Sequence, residues 1–506
     1  MLLSNMKKIM KIINFNTDLK RIGLYAGLAT MLLLPSACQD SFLDTDPQGK
    51  QAGVVFWQNE GDATKAVNAM YANLRGWTNT AFAPIAVESI GSDETEKGSS
   101  ASDATFFNTF DNFSVGSTDG QIADFWKGQY QNVNYANQIL DNIPAITMDA
   151  ALKERYLAEA KFVRAYSYFR LVRAYGDIPL RLKVPAGTEE YNIPRTPKAE
   201  VYAAIEKDLT EATAVLPATY TTANIGRITK GAALSLHAKV SMYQKKWQQV
   251  FDLTTQVTGL GIYSLFPNYE QLFRVKNENV AESVFELQNS LVLDNKDASN
   301  SQYSQVQGTR GVTGGGWGFH VPTQALVDSY EEGDPRKDAT IIFRGETTPD
   351  GDVIPAVGDN PRYNQKSYVP FSLFVSGFNE GAQQNVRVIR YADVLLMNAE
   401  AANELGKTTE ALASLEMVRA RARGANTKLL PKITTVEKAA LQKAIWHERQ
   451  VELAMEYDRY FDVIRQGRGT EVFGPKGWKA NKNEVWPVPQ SEIDLSGGLL
   501  SQNAGY

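Results

Sequence analysis

Apolar positions recur at helical spacing through most of the chain. Between Leu152 and Val172 one face carries Leu152, Tyr156, Ala160 and Val163, and a second stripe carries Phe162, Tyr166, Phe169 and Val172. Two stripes on one segment predict a helix buried on two sides, stopped by Gly176 and Pro179. A further helix is predicted with Thr196 as N-cap, Pro197 as its first residue and Val201, Ile205, Leu209, Ala212 and Leu216 along one face, with Pro217 ending it. Helix pairs follow at Ala232 to Tyr243 with Trp247 to Val257, and at Tyr391 to Leu405 with Thr408 to Ala422. A last long helix opens on a capping box, Thr434 with Glu437, and carries Leu441, Ile445, Leu453, Tyr457, Phe461 and Ile464.

Two stretches break the pattern, Gly76 to Gly120 and Gly261 to Gln384. They are rich in Asn, Ser, Gln and Gly and hold short β-like runs such as Ser283 to Leu287 and Thr340 to Phe343. Loops this long are uncommon unless functional. The turn in Leu405-Gly406-Lys407-Thr408 resembles that of a tetratricopeptide helix pair, although no clean repeat of about 34 residues runs through the chain. The fold class expected is mainly α, helix pairs carrying loop-rich, partly β insertions.

The first residues read as an address. Lys7, Lys8, Lys11, Lys20 and Arg21 precede an apolar run from Ile22 to Leu34, followed by Pro35-Ser36-Ala37-Cys38. The run is too short to span a bilayer, for which about 18 apolar residues are wanted, and small residues stand where a peptidase would cut. Cys38 is the sole cysteine of the 506 residues, and it lies where bacterial lipoproteins receive their diacylglycerol. The reading is a signal peptide over 1–37, lipidation at Cys38, and a tether from Ser41 to Phe56. Removing 1–37 deletes five positive charges and Asp18, so the formal charge goes from -5 to -5 - 4 = -9 over 506 - 37 = 469 residues. Parts are expected at 38–260 and 261–506, the latter with its insertion at 261–385 and helices at 386–466.

Composition excludes several classes. With 43% hydrophobic residues the chain is no disordered tail, a lone cysteine rules out a disulfide framework or CxxC zinc site, and the acidic balance argues against nucleic acid. Gly406-Lys407-Thr408 ends like a phosphate loop, but the first glycine of that motif would fall on Ala401, inside a helix. His447-Glu448 lacks the second histidine of a metalloprotease helix, Val451 standing in its place. Gly314-Gly315-Gly316 neither follows a strand nor opens a helix, so it reads as flexible or tight-turn backbone. The run Arg449, Glu452, Glu456, Arg459, Asp462 and Arg465 reads as surface or inter-helix ion pairs. No nucleophile with its base stands out, and no cofactor is expected; a structural calcium among the acidic loops stays open.

Aromatic residues offer more. Trp77 and Trp317 stand in loop contexts where a flat side chain can be displayed, and sugar rings stack their C-H faces on such surfaces while hydroxyls bond to Asn, Asp and Arg. Each tryptophan is as readily a plug packed onto the scaffold. Trp126, Trp247 and Trp446 lie in helical stripes and read as core, and Trp486 as packing near the C-terminus.

Several motifs together resemble the SusD/RagB outer-membrane lipoproteins. They are the start Cys38-Gln-Asp-Ser-Phe-Leu-Asp44; Ala158 to Tyr166 running to Tyr175-Gly-Asp-Ile-Pro-Leu180; Gly226 to Ala232; Asp334-Pro-Arg336; Arg390 to Ala401; Val418-Arg-Ala-Arg421; Glu448-Arg449; Arg459-Tyr-Phe-Asp462; and Trp486-Pro-Val-Pro489 to Tyr506. The resemblance implies a helical lid on a SusC-like TonB-dependent transporter, lipid-anchored in the outer membrane and facing outward, that captures oligosaccharide without catalysis. Peptide or another nutrient as cargo, and a scaffold without a ligand, stay open as alternatives. In some members a loop tryptophan near the position of Trp317 stacks on sugar. Trp317 is therefore the first candidate, with Trp77, Phe319, Asn79, Asp93 and Tyr303 as further ligand-binding candidates.

Overall fold

The computed structural model describes residues 56–187, 190–296 and 301–506. The leader, Cys38 and most of the tether lie outside the described residues. Helices α1 (Glu60–Leu74), α2 (Gly120–Asn142), α3 (Ala150–Tyr175), α4 (Lys198–Val215), α5 (Lys230–Tyr243), α6 (Trp247–Gly259), α7 (Tyr391–Glu404), α8 (Thr408–Arg423), α9 (Lys438–Glu452) and α10 (Arg459–Arg465) form the scaffold. Consecutive members pack on each other from α1 to α8, and α7 also packs on α9. The long excursion between α6 and α7 therefore leaves the stack and returns to it without interrupting it. Residues 59–506 make one compact unit.

Local chemistry explains the helix ends. Asp149 caps α3 by accepting from the Leu152 N–H, and Gly176, at φ +74°, closes it. Thr229 caps α5. At α4 the expectation is off by one: Pro197 is the N-cap and Thr196 is extended, paired with Ile178 in an isolated bridge. The expected capping box is absent as well. Glu437 itself caps α9, its carboxylate accepting from the Ala439 and Ala440 N–H groups, and Thr434 lies outside the helix. The predicted last helix is really two, because Met455 and Tyr457 adopt φ of +67° and +68° and turn the chain between α9 and α10.

Among the described residues six short strands pair two by two, all antiparallel: β1 (Thr95–Gly98) with β3 (Phe319–Pro322), β2 (Ser283–Leu287) with β6 (Val386–Arg390), and β4 (Ile341–Phe343) with β5 (Arg362–Asn364). In the first pair Thr95 opposes Pro322 and Gly98 opposes Phe319. That register joins the two irregular stretches seen in the sequence.

Of the two readings of the charged run, surface or inter-helix ion pairs, the structure shows the second: the run is buried and meets the other charged motifs. Arg336 is bound by Asp334, Glu448 and Glu452; Arg390 by Glu282, Glu452 and Glu456; Arg421 by Glu282 and Glu452. A neighbouring cluster holds Arg449 between Asp393 and Asp462, with Lys239 on Asp393 and Asp458. Burial alone would push the Glu452 carboxyl up, but Arg421, Arg390 and Arg336 outweigh it and hold it well below the usual range. These motifs knit the insertion to α7, α8 and α9, and their charges face one another.

The C-terminal segment is stitched down. Trp486 is buried, donates to the Val87 carbonyl at 2.9 Å and stacks on Tyr460 at 5.3 Å. Asn503 donates to the carbonyls of Tyr175 and Trp486.

Candidate functional site

Trp77 opens a single helical turn, Trp77–Thr80, directly after α1, and Trp317 sits in the glycine-rich loop entering β3. Pairing of β1 with β3 carries that loop against the segment following α1. The two indole rings lie 6.2 Å apart, inclined at 52°. Phe82 touches both, at 4.9 Å from Trp77 and 6.0 Å from Trp317, and rests on Phe107 and Phe319 at 5.1 and 5.0 Å. Phe106 completes the group, 5.9 Å from Phe82. Phe107 and Phe319 are buried, whereas Trp77, Phe82, Phe106 and Trp317 keep part of their surface in solvent. The result is an aromatic platform with a buried foundation.

The loop holding Trp317 is tight rather than flexible. A Cβ on Gly315 would stand 2.1 Å from the Thr309 carbonyl oxygen, and one on Gly316 2.4 Å from that of Gln305. Glycine is required there because backbone packs on backbone. The Trp317 N–H donates to the Gln305 carbonyl at 2.8 Å, and Asn360 donates to the Gly318 carbonyl at 2.7 Å.

A polar rim borders the platform. Arg310 forms an ion pair with Asp103 at 2.6 Å and donates to the Ser99 hydroxyl at 2.5 Å, and the Ser99 N–H donates to the Gly318 carbonyl at 2.6 Å. Hydrogen bonds from Ser99 and Ser100 hold the Asp103 carboxyl below its usual range. Lys97 donates to the carbonyls of Ser100 and Asp103. Apolar faces beside fixed donors and acceptors form the chemistry that takes a polyhydroxylated ring.

Of the six candidates, the structure brings Trp317, Trp77 and Phe319 together, the last as foundation. Asn79 is buried beneath, its amide oxygen accepting from Gln129 and Asn132 and its nitrogen donating to the Asn73 carbonyl. Asn79 and Tyr303 both line an internal cavity of about 70 Å³ among Glu88, Arg170 and Lys239. Asp93 is held in a two-pronged contact by Arg459, both bonds at 2.7 Å. Asn79 and Asp93 are thus engaged by the protein's own side chains, and Tyr303 is buried. Phe82, Phe106, Arg310 and Asp103 were not singled out from sequence; the available signal was the crowding of aromatics into the irregular stretch from Gly76 to Gly120. Among the tryptophans read as core, Trp126 is fully buried, while Trp247 and Trp446 are half-buried.

Among the described residues one serine–histidine pair exists, Ser89 with His320 at 2.7 Å, and Gln307 sits 2.7 Å from the other ring nitrogen. Burial pushes the imidazole down to about 3, and the ring is stacked flat on Tyr457. A base this weak, sealed from solvent, braces the core beside β3. Among the described residues no group of three or more His, Cys, Asp or Glu side chains is arranged to hold a metal, and no helix is long and apolar enough to cross a membrane.

Known proteins resemble the chain along nearly its whole length. The family profile described as "SusD family" matches residues 281–506, and that described as "Starch-binding associating with outer membrane" matches 41–242. SusD-like protein P2 of Formosa agariphila is 27% identical over 505 residues, spanning 94% of this chain and 98% of that protein. A solved structure described as a laminarin binding SusD-like protein is 30% identical with a TM-score of 0.78, covering 89% of this chain and all of that one. A SusD-like protein from Bacteroides fragilis is 26% identical with a TM-score of 0.76, over 91% of this chain and all of that one.

Proposed function

The chain belongs to the SusD family, and from that premise we propose that it is a non-catalytic, lipid-anchored receptor that binds oligosaccharide on the Trp77–Trp317 platform. The observation that carries this reading is the pairing of two half-exposed indoles on a rigid aromatic base beside a polar rim. Rings inclined at 52° do not both lie flat on a straight, ribbon-like chain. They suit a glycan whose successive rings turn relative to one another, and the 30%-identical structure bears the description laminarin binding. Cys38 would hold the mature protein at the outer membrane's outer face, where it hands cargo to a SusC-like TonB-dependent transporter.

Calorimetry of the soluble mature chain with β-1,3-linked and β-1,4-linked gluco-oligosaccharides tests the reading. Binding to the turning β-1,3 chain, weakened in Trp317→Ala and Trp77→Ala, is expected. Unchanged affinity in both variants would remove the platform from the site, and no binding of any glycan would remove the ligand class. For the anchor, Cys38→Ser should move the protein from the membrane fraction into the soluble one, and the transporter should co-purify with the wild-type chain.

A further inference from the structure

A second cleft, sharing no residue with the platform, lies between α2, the loop after α3 and the C-terminal segment. Its volume is about 480 Å³, within the range of about 300–1,000 Å³ typical of small-molecule sites. Tyr130 from α2 and the exposed Tyr191 from the loop supply aromatic walls, and Lys127, Arg181 and Lys183 stand around them. Arg181 is committed to the loop, donating to the carbonyls of Glu190 and Tyr191. The ammonium groups of Lys127 and Lys183 are exposed and form no ion pair within 4 Å and no hydrogen bond among the described residues, although Lys127 lies near enough to Asp124 and Glu492 to oppose the rise that burial gives their carboxyls. Glu492 is the one carboxylate in the lining among the described residues.

This arrangement is out of keeping with the rest of the molecule. The chain is acidic, and its buried cations are closely paired with carboxylates. Here two ammonium groups without a close ion pair share a concave surface with two phenol rings. Lysine recognises an anion as a point charge, while aromatic faces take the apolar face of a ring. We propose that this cleft is a second ligand site, for an acidic oligosaccharide: a sugar oligomer bearing carboxylate or sulfate groups on rings that stack against Tyr130 and Tyr191. A neutral glycan would leave both lysines without a close ion pair, and a bare anion would leave the aromatic walls unused. The inference does not rest on the platform reading.

The test is titration of the mature chain with oligogalacturonate, with a sulfated hexose oligomer, with neutral laminari-oligosaccharide and with inorganic sulfate. Three chains are compared: wild type, Lys127→Glu/Lys183→Glu and Trp317→Ala. At least one acidic oligomer is expected to bind wild type, more weakly as salt rises, since exposed charges are screened within about 10 Å at 0.1 M. The double variant should lose about tenfold or more, as charge-assisted contacts turn to repulsion, and Tyr191→Ala should weaken binding while leaving the thermal melt unchanged. Trp317→Ala should bind acidic oligomers as wild type does. The proposal is overturned if neither acidic oligomer binds, if the lysine variant binds unchanged, if Trp317→Ala abolishes binding, or if inorganic sulfate binds as tightly as the oligomers. Loss of a co-purifying membrane protein on Leu495→Asp, with no acidic oligomer bound, would assign the cleft to a protein partner instead.

Discussion

Trp77 and Trp317 stand 240 positions apart in the sequence and 6.2 Å apart in space. Neither is held by its own segment alone. Strand β3 brings Trp317 to β1, and Phe82 wedges beneath both indoles.

Phe82→Ala should therefore reduce glycan affinity without touching either tryptophan. Phe82 contacts Trp77, Trp317, Phe106, Phe107 and Phe319, and removing a large aromatic from such a setting costs about 3–5 kcal/mol when fully buried. Half-buried Phe82 should cost less, and urea unfolding beside calorimetry would separate the stability loss from the binding loss. Wild-type affinity in a folded Phe82→Ala protein would show that the platform needs no prop.

Gly315→Ala should disturb the presentation of Trp317. Its new methyl meets the Thr309 carbonyl oxygen at 2.1 Å, a contact that backbone must move to relieve. Overpacking costs typically about 1–3 kcal/mol. Gly406→Ala, where the Cβ meets nothing within 4 Å but φ is +75°, separates crowding from backbone strain. Glycan affinity is expected to fall for Gly315→Ala and to hold for Gly406→Ala.

The ion network predicts a large asymmetry between buried and exposed pairs. Glu452→Gln leaves Arg336, Arg390 and Arg421 short of a countercharge in the interior, and breaking one partner of such a set costs about 3–5 kcal/mol. Glu471→Gln, in the exposed pair with Arg468, should change stability by no more than about 1 kcal/mol. Equal unfolding midpoints for the two variants would contradict the structural role assigned to the network.

Two buried groups give stability opposite dependences on pH. His320 is neutral in the fold, its imidazole pushed down to about 3 by burial, against about 6.5 when unfolded. As pH falls from about 6.5 toward 3 the unfolded chain takes a proton the fold refuses, so stability declines. His320→Gln should flatten the fall in unfolding free energy between pH 7 and pH 5. Glu94 acts the other way: burial, and then Asp93, push its carboxyl up to about 8. Its contribution is lost as pH rises from about 4.5 to 8, so Glu94→Gln should raise the melting temperature at pH 8.5 and change it little at pH 5. The Met455 N–H, which Glu94 accepts at 3.1 Å, can still bond to the amide oxygen.

Helices were legible to within a few residues, since the stripes on Leu152 to Val172 lie inside α3 and the turn at Gly406 separates α7 from α8. The errors fall where a nearby backbone decision outran side-chain pattern. Apolar spacing runs on from Leu441 to Ile464, yet two residues at positive φ split that segment into α9 and α10. At Asn79 and Asp93 the residue types suited a ligand, but their partners, Gln129, Asn132 and Arg459, come from distant segments.

From the sequence alone came the helical scaffold, the family and the two candidate tryptophans, because periodicity, caps and motifs are written in neighbouring residues. Tertiary structure alone decided that those tryptophans meet at 52° on a phenylalanine base, that the charged run of α9 and α10 is interior, and that Lys127 and Lys183 share a cleft. The physical reason is common to all three. A ring's exposure and a charge's partner depend on what other segments bring to within a few ångströms, and no local pattern of residues records that.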